Sequence, residues 1–443
     1  MNGISTIMNI TSQQNRLPEI GLVIIISSYL LLAFSSPMPI RIGVIEIVMG
    51  IGLTIGSLLL GYSLIARKEW NSILPALCIV YFLLIPLLVS VGSGNSFVDI
   101  VRDVSPLMFM TTLPLLIKYL PHDKNAYYRL RFLLFAILTV GLISALQFQL
   151  GIEQLYGSMG AYISKFNPDP IAPVNGISSI SSAMLRLFGL GNADLQMFML
   201  KCQDPALLFS AIYLLCFGLE NVLAKPRRLI IGLCALAGGG FCFYEFAALG
   251  MRAFSGLTVL ALIFYMLYLI RSRGVPIINL FVAGILGLLL TYKQIISLAG
   301  QMWEKNQAAG LNSRPAELYA VFGVISENIH TFLFGIGWGG IFANPIYGDA
   351  NTRYTHSLLS FWLLKTGVVG FAILALFVSL LFRRVNFNSV WSSSHRLALF
   401  LATSAVIIIG IFLEPTYKML SFGLIVGLLL AELSLPPAPS QQI

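Results

Sequence analysis

Three residues have the types and the company to do chemistry: Arg252 in "FAALGMRAFSGLTVL", Arg314 in "NSRPAELYAVFGVI" and His356 in "NTRYTHSLLSFWLLKTGVVGF". A guanidinium stays charged and grips phosphate oxygens through a fork of N–H groups. An imidazole, with an unperturbed pKa of about 6.5, takes or positions a hydroxyl proton near neutral pH. Together they suit an anionic phosphate. They also suit a sugar transfer in which a diphosphate leaves and an acceptor hydroxyl is activated. Arginines supply the positive charge such a leaving group needs, so a metal is optional there; no ligand cluster at metal spacing is present in the sequence and no cofactor is expected. Each residue also has a plain reading: Arg252 as an interfacial side chain reaching for headgroups, Arg314 as a solvated loop charge, His356 as a helix cap.

The elements that must position these residues are membrane helices. Of the 443 residues 57% are hydrophobic and only 10% are charged, against about 25% charged in a soluble domain. The mean hydropathy is +0.87. Apolar runs long enough to cross a bilayer recur along the chain. The expected fold is therefore all-α, a polytopic bundle forming a single integral membrane unit over 1–443. A bilayer requires backbone groups to be satisfied within each span, and the ten-residue alternation of a barrel is missing. The apolar runs predict twelve helices near 20–35, 41–65, 72–92, 99–118, 129–150, 205–223, 229–249, 252–270, 276–292, 357–382, 397–413 and 419–434.

The net charge of +9 is a topology signal. Arg67 and Lys68, then Lys118, Lys124, Arg129 and Arg131, fall between alternate helices. So do Lys225, Arg227 and Arg228, then Arg271 and Arg273, and finally Arg383, Arg384 and Arg396. Twelve spans with both termini inside place all of these on one side, as the positive-inside rule requires. Nucleic acid is not an expected partner; the lipid bilayer is. The polar start "MNGISTIMNITSQQNRLPE" has no signal-peptide pattern, so the first helix is expected to be retained.

Two outside segments break the rhythm, 151–204 and 293–356, and loops of that length are usually functional. In the second, Ser313 as N-cap, Pro315 in the first turn and Glu317 after it predict the start of an amphipathic helix. Function is therefore expected outside. Arg353 is a further phosphate contact or a surface charge. Arg186 and Lys201, on the first long loop, are candidates for recognising acceptor or donor sugars; Asp194 and Asp204 are candidates for sugar or cation contacts. Glu245, an ionisable residue within a span about two turns before Arg252, is a functional candidate by default. Arg102 and Asp103 read as a pair in local charge balance. Lys365 falls nine residues after His356 and faces nearly the opposite side of its helix, outside the expected site. Trp303 and Trp338 suit an interface belt, with sugar stacking as the other use.

The order "GMRAFSG", "NSRPAELYAVF", "FLFGIGWGG" and "THSLLSFWLLKTGVVGF" resembles the O-antigen ligase and O-antigen polymerase superfamily of bacterial envelope glycosyltransferases. The resemblance is sharp over 245–375 and rests on Arg252, Arg314, Gly335 to Gly340, and His356 with Gly367 and Gly370. Where the family commonly has Asn after the histidine, this chain has Ser357. The resemblance implies a GT-C-like, metal-independent, inverting enzyme in the bacterial inner membrane, with its active site facing the periplasm. It implies an undecaprenyl-diphosphate-linked oligosaccharide as donor and en bloc transfer to a glycan acceptor. Arg252 and Arg314 would bind the diphosphate, and His356 would activate the acceptor hydroxyl or position the donor.

A polymerase transfers onto another lipid-linked repeat unit and a ligase onto lipid A–core; the wording "LLKTGVVG" leans towards the polymerase. A polysaccharide flippase is the alternative from another class. It would show internal repeats and cations near the midplane, whereas the distinctive residues here gather at one face.

Overall fold

The computed structural model describes residues 17–34, 44–67, 72–120, 125–156, 203–248, 251–276, 314–347, 349–383 and 385–436, with single residues 278 and 300. The expected ninth helix at 276–292 lies outside them almost entirely, as do Arg186, Lys201, Asp194 and Trp303.

The described chain is overwhelmingly helical. We number its helices α1 (Leu17–Ala33), α2 (Val44–Ala66), α3 (Ile73–Gly92), α4 (Phe97–Lys118), α5 (Ala126–Tyr156), α6 (Pro205–Leu223), α7 (Leu229–Ala248) and α8 (Arg252–Arg273). Then follow α9 (Arg314–Ile325), α10 (Ile329–Phe334), α11 (Leu358–Phe382), α12 (Ser394–Phe412) and α13 (Leu420–Ser434). Among the described residues nine helices are long and apolar enough to cross a membrane: α2 to α8, α11 and α12. Of the twelve expected spans, α1 and α13 form as apolar helices too short for that class. Much of α13 is nonetheless fully buried, because it packs among α4, α5, α6 and α12.

Local chemistry explains the boundaries. Asp204, Ser357 and Ser393 each accept a first-turn backbone N–H and so cap α6, α11 and α12. Gly274, with φ +62°, ends α8 just after Arg271 and Arg273. Helix α4 contains a π turn over Met108–Thr112, between Pro106 and Pro114. Each proline lacks an amide donor, so the regular ladder cannot continue there.

The short basic turns gather at one end of the bundle. Lys118 Nζ donates to Leu381 O at 2.6 Å and to Arg383 O at 2.9 Å, closing the last turn of α11 with a cation. Glu220 collects Lys225 at 2.8 Å and Arg273 at 3.7 Å. Arg396 pairs with Glu432 at 3.4 Å. The first residues of α11 lie at the other end, 25 residues away along the helix. A two-stranded antiparallel hairpin, β1 (Phe342–Asn344) with β2 (Ala350–Thr352), stands there, pairing Phe342 with Thr352 and Asn344 with Ala350.

Candidate active site

The site is built on a helix with a missing rung. Gly367, inside α11, has φ 63° and ψ −167°, a conformation essentially reserved for glycine. Leu364 O and Lys365 O would normally accept from the amides four residues on. Here they accept from Ile336 N–H at 2.9 Å and Gly337 N–H at 3.1 Å. The "GIGWGG" segment thus repairs the break it abuts, satisfying backbone groups inside an apolar helix. The approach is close: a Cβ on Gly367 would sit 2.5 Å from Leu333 O, and one on Gly335 2.5 Å from the carbonyl carbon of Lys365.

The same segment is anchored on its far side. Pro86 lacks the N–H that would bond Phe82 O, and the Trp338 indole donates to that carbonyl at 3.0 Å. Trp338 is fully buried. It is a structural anchor rather than the interface-belt residue its type suggested, because its polar atom is already used inside the bundle. Asn95 Nδ2 donates to Trp338 O at 2.9 Å and Ile336 O at 3.2 Å. Asp103 accepts from Gly339 N–H at 2.8 Å and pairs with Lys365 Nζ at 2.7 Å, while Lys365 also donates to Gly340 O at 2.6 Å. The expected Arg102–Asp103 pair is therefore corrected: Asp103 turns inward to Lys365, and Arg102 lies exposed. Lys365, fully buried, thus ties α11 to Asp103 on α4 and to Gly340 O.

On this base stands a histidine held by a carboxylate. Glu317 is 1% exposed. His356 Nδ1–H donates to Glu317 Oε1 at 3.0 Å, and the backbone N–H of His356 donates to Oε2 at 3.0 Å. Asn344, fully buried on β1, donates to Oε1 at 2.7 Å. Burial alone would raise the Glu317 carboxyl. The hydrogen bonds from the His356 ring, its N–H and Asn344, with the histidine's charge, outweigh burial and hold the carboxyl below its ordinary value. An ionised carboxylate cannot donate, so the ring nitrogen facing Glu317, Nδ1, carries a proton, and Nε2 is the nitrogen that points away from the carboxylate. That is the arrangement of a general base with an orienting acid.

Neighbouring contacts fix the His356 backbone. Ser357 caps α11 through Ser360 N–H at 3.1 Å. Tyr417 OH donates to Thr355 O at 3.0 Å, and Thr355 Oγ1 to Ser357 O at 2.9 Å. The Tyr354 ring lies 6.1 Å from the imidazole. Arg353 pairs with Asp99 at 2.9 Å, both side chains about a third exposed.

The other expected residues are placed as follows. Arg252 is the exposed first residue of α8, whose neighbours include α6, α7 and α12. Arg314 is the first residue of α9, one turn before Glu317; its side chain lies outside the described part. Glu245 is fully buried in α7. Asp204, expected as a sugar or cation contact, has a carboxylate oxygen on the α6 cap, accepting from Ala206 N–H at 2.8 Å. A cavity of about 230 Å³ lined by Tyr127, Arg131, His395, Arg396 and Glu432 lies at the opposite, basic end. Among the described residues no three His, Cys, Asp or Glu side chains group as metal ligands.

Glu317 and Asn344 are the residues of this candidate site that sequence reasoning missed. A signal for Glu317 was present: Glu317, Val321 and Ile325 recur every four residues and all three are buried, so the glutamate occupies the inward stripe of α9. Asn344 carries no such signal, since its role depends on the hairpin register. No protein-family model, curated protein or solved structure matches this chain.

Proposed function

We propose that this chain is a glycosyltransferase of the inner membrane, with twelve spans in a GT-C-like arrangement and its active site on the periplasmic side. It moves an undecaprenyl-diphosphate-linked glycan en bloc onto an acceptor in O-antigen or surface-polysaccharide assembly, as a polymerase. The observation that carries this reading is the Glu317–His356 pair, a buried carboxylate that orients an imidazole through Nδ1 at the start of an apolar helix. The four ordered sequence elements, Arg252, Arg314, Gly335 to Gly340 and His356, support it independently.

In this mechanism the acceptor hydroxyl oxygen attacks the anomeric carbon while His356 Nε2 takes its proton. The bond from that carbon to the diphosphate oxygen breaks, and the electron pair leaves with the lipid diphosphate. Attack opposite the leaving group inverts the anomeric centre. Glu317 stabilises the imidazolium that forms, as a buried carboxylate does for an orienting pair. Arg252 and Arg314 offset the charge developing on the departing phosphate.

The test is the electrophoretic profile of envelope polysaccharide from the host lacking the gene, complemented with wild type or His356→Ala. A single repeat unit on core without the ladder identifies a polymerase. Bare core with lipid-linked polymer accumulating identifies a ligase. A wild-type ladder from His356→Ala would remove the histidine from the mechanism.

A further inference from the structure

Lys418 ends the 3-10 turn Pro415–Lys418 that joins α12 to α13, at the same end of the bundle as His356. Its ammonium lies 4.2 Å from the Phe361 ring centroid, 4.9 Å from Tyr354 and 5.9 Å from Tyr417. Tyr354 is the ring that also faces His356. Three aromatic faces thus hold a cation next to the proposed base. Ring faces steer an ammonium without occupying its three N–H donors.

The charged groups that face Lys418 are Asp103 on α4, Lys365 on α11, Arg353 after β2, and Glu317 on α9. Both carboxylates among them are engaged elsewhere: Asp103 by Lys365 and Gly339, Glu317 by His356 and Asn344. Asp99, close by in sequence to Asp103, is taken by Arg353. Among the described residues Lys418 pairs with no carboxylate and bonds to no acceptor; its contacts are the three rings. A half-buried ammonium without an acceptor is unfavourable unless an anion completes it.

We propose that Lys418 is a phosphate-binding residue of this site, its ammonium framed by Phe361, Tyr354 and Tyr417 to receive an oxygen of a diphosphate ester. This rests on the transfer reading above and adds to it a contact that the sequence pattern does not contain. Burial, aided by Lys365 and Arg353 and opposed by Asp103 and Glu317, brings the lysine down to about 7. An anion bound against the ammonium would favour its charged form and offset that burial.

The test is binding to the full chain in lipid nanodiscs, with farnesyl diphosphate, inorganic pyrophosphate and farnesol as probes. Farnesyl diphosphate is expected to bind wild type, and Lys418→Gln to weaken it by about tenfold or more, the worth of a charge-assisted hydrogen bond. Lys418→Arg keeps most of the affinity, and farnesol binding is the same in all three. Should Lys418→Gln fail to fold, Tyr354→Leu removes one wall of the frame and is expected to weaken the diphosphate selectively. Pyrophosphate displacing farnesyl diphosphate supports recognition of the diphosphate itself. Displacement by phosphatidylglycerol in the nanodisc would make this a bilayer-headgroup site and overturn the proposal. Equal affinity in wild type and Lys418→Gln would also overturn it, as would farnesol binding as tightly as its diphosphate. If His356→Ala keeps a normal ladder while Lys418→Gln loses diphosphate binding, the transfer reading falls and the anion site stands.

Discussion

Glu317 and His356, 39 residues apart, are joined twice: the imidazole Nδ1–H and the backbone N–H of the same histidine each reach one oxygen of the carboxylate at 3.0 Å. The double contact fixes ring and main chain together. Glu317→Gln puts an amide NH₂ where one of the donors now points. We expect the proposed transfer to fall roughly 10–100-fold, by analogy with the loss seen when the carboxylate that orients a metal-ligating histidine is removed. A pH profile of transfer that changes shape along with the rate would separate an orienting role from simple loss of fold.

The acid response follows from the same pair. The Glu317 carboxyl lies below its ordinary 4.5 when folded, so the unfolded chain binds that proton more tightly. The pair's contribution to stability is therefore complete above about pH 4.5 and is lost as pH falls through the depressed folded value. Thermal unfolding of purified protein across pH 3–6 should show an acid-side loss that Glu317→Gln lacks.

Gly367→Ala is expected to be severe. The added methyl meets Leu333 O at 2.5 Å and the backbone cannot keep φ 63° with ψ −167° cheaply, a conformation costing on the order of 1–3 kcal/mol before any clash. Size-exclusion profile and unfolding midpoint should both deteriorate. Gly256→Ala, with open space around the position, should leave them unchanged.

Lys365 and Asp103 form a fully buried pair. Lys365→Met alone strands the carboxylate and should destabilise by about 3–5 kcal/mol, whereas adding Asp103→Leu should recover much of that loss. Recovery stays partial because Gly339 N–H also loses its acceptor. Detergent-denaturation midpoints of the two single variants and the double variant close the cycle.

Much of this was legible beforehand because hydropathy and caps act locally. Ser357 was placed at the lip of its helix by composition alone, and α6 runs over the very span its apolar residues outlined. The clustering of Lys118, Lys225, Arg273, Arg383 and Arg396 at one end followed from the spacing of cations between helices. The pairings were another matter. Glu317 reads equally well as a first-turn charge at a helix start, and only tertiary packing shows that it points inward. Trp338 looked interfacial because nothing local reveals that Pro86, on another helix, leaves Phe82 O in need of a donor. Asp103 sits beside Arg102 in the chain, yet helical geometry separates neighbours and sends the aspartate to Lys365.

The discontinuity at Gly367 also has a mechanical meaning. An unbroken span behaves as a beam, so a change in bilayer thickness or tilt at one end moves the other. In α11 the stretch before Gly367 is bonded laterally to the "GIGWGG" segment through Leu364 O and Lys365 O, and the stretch beyond it continues as a plain apolar helix. The joint ties the His356 end of α11 to α3 and α4 through the "GIGWGG" segment and to α9 through Glu317, so its position is set by neighbouring helices and not by α11 alone.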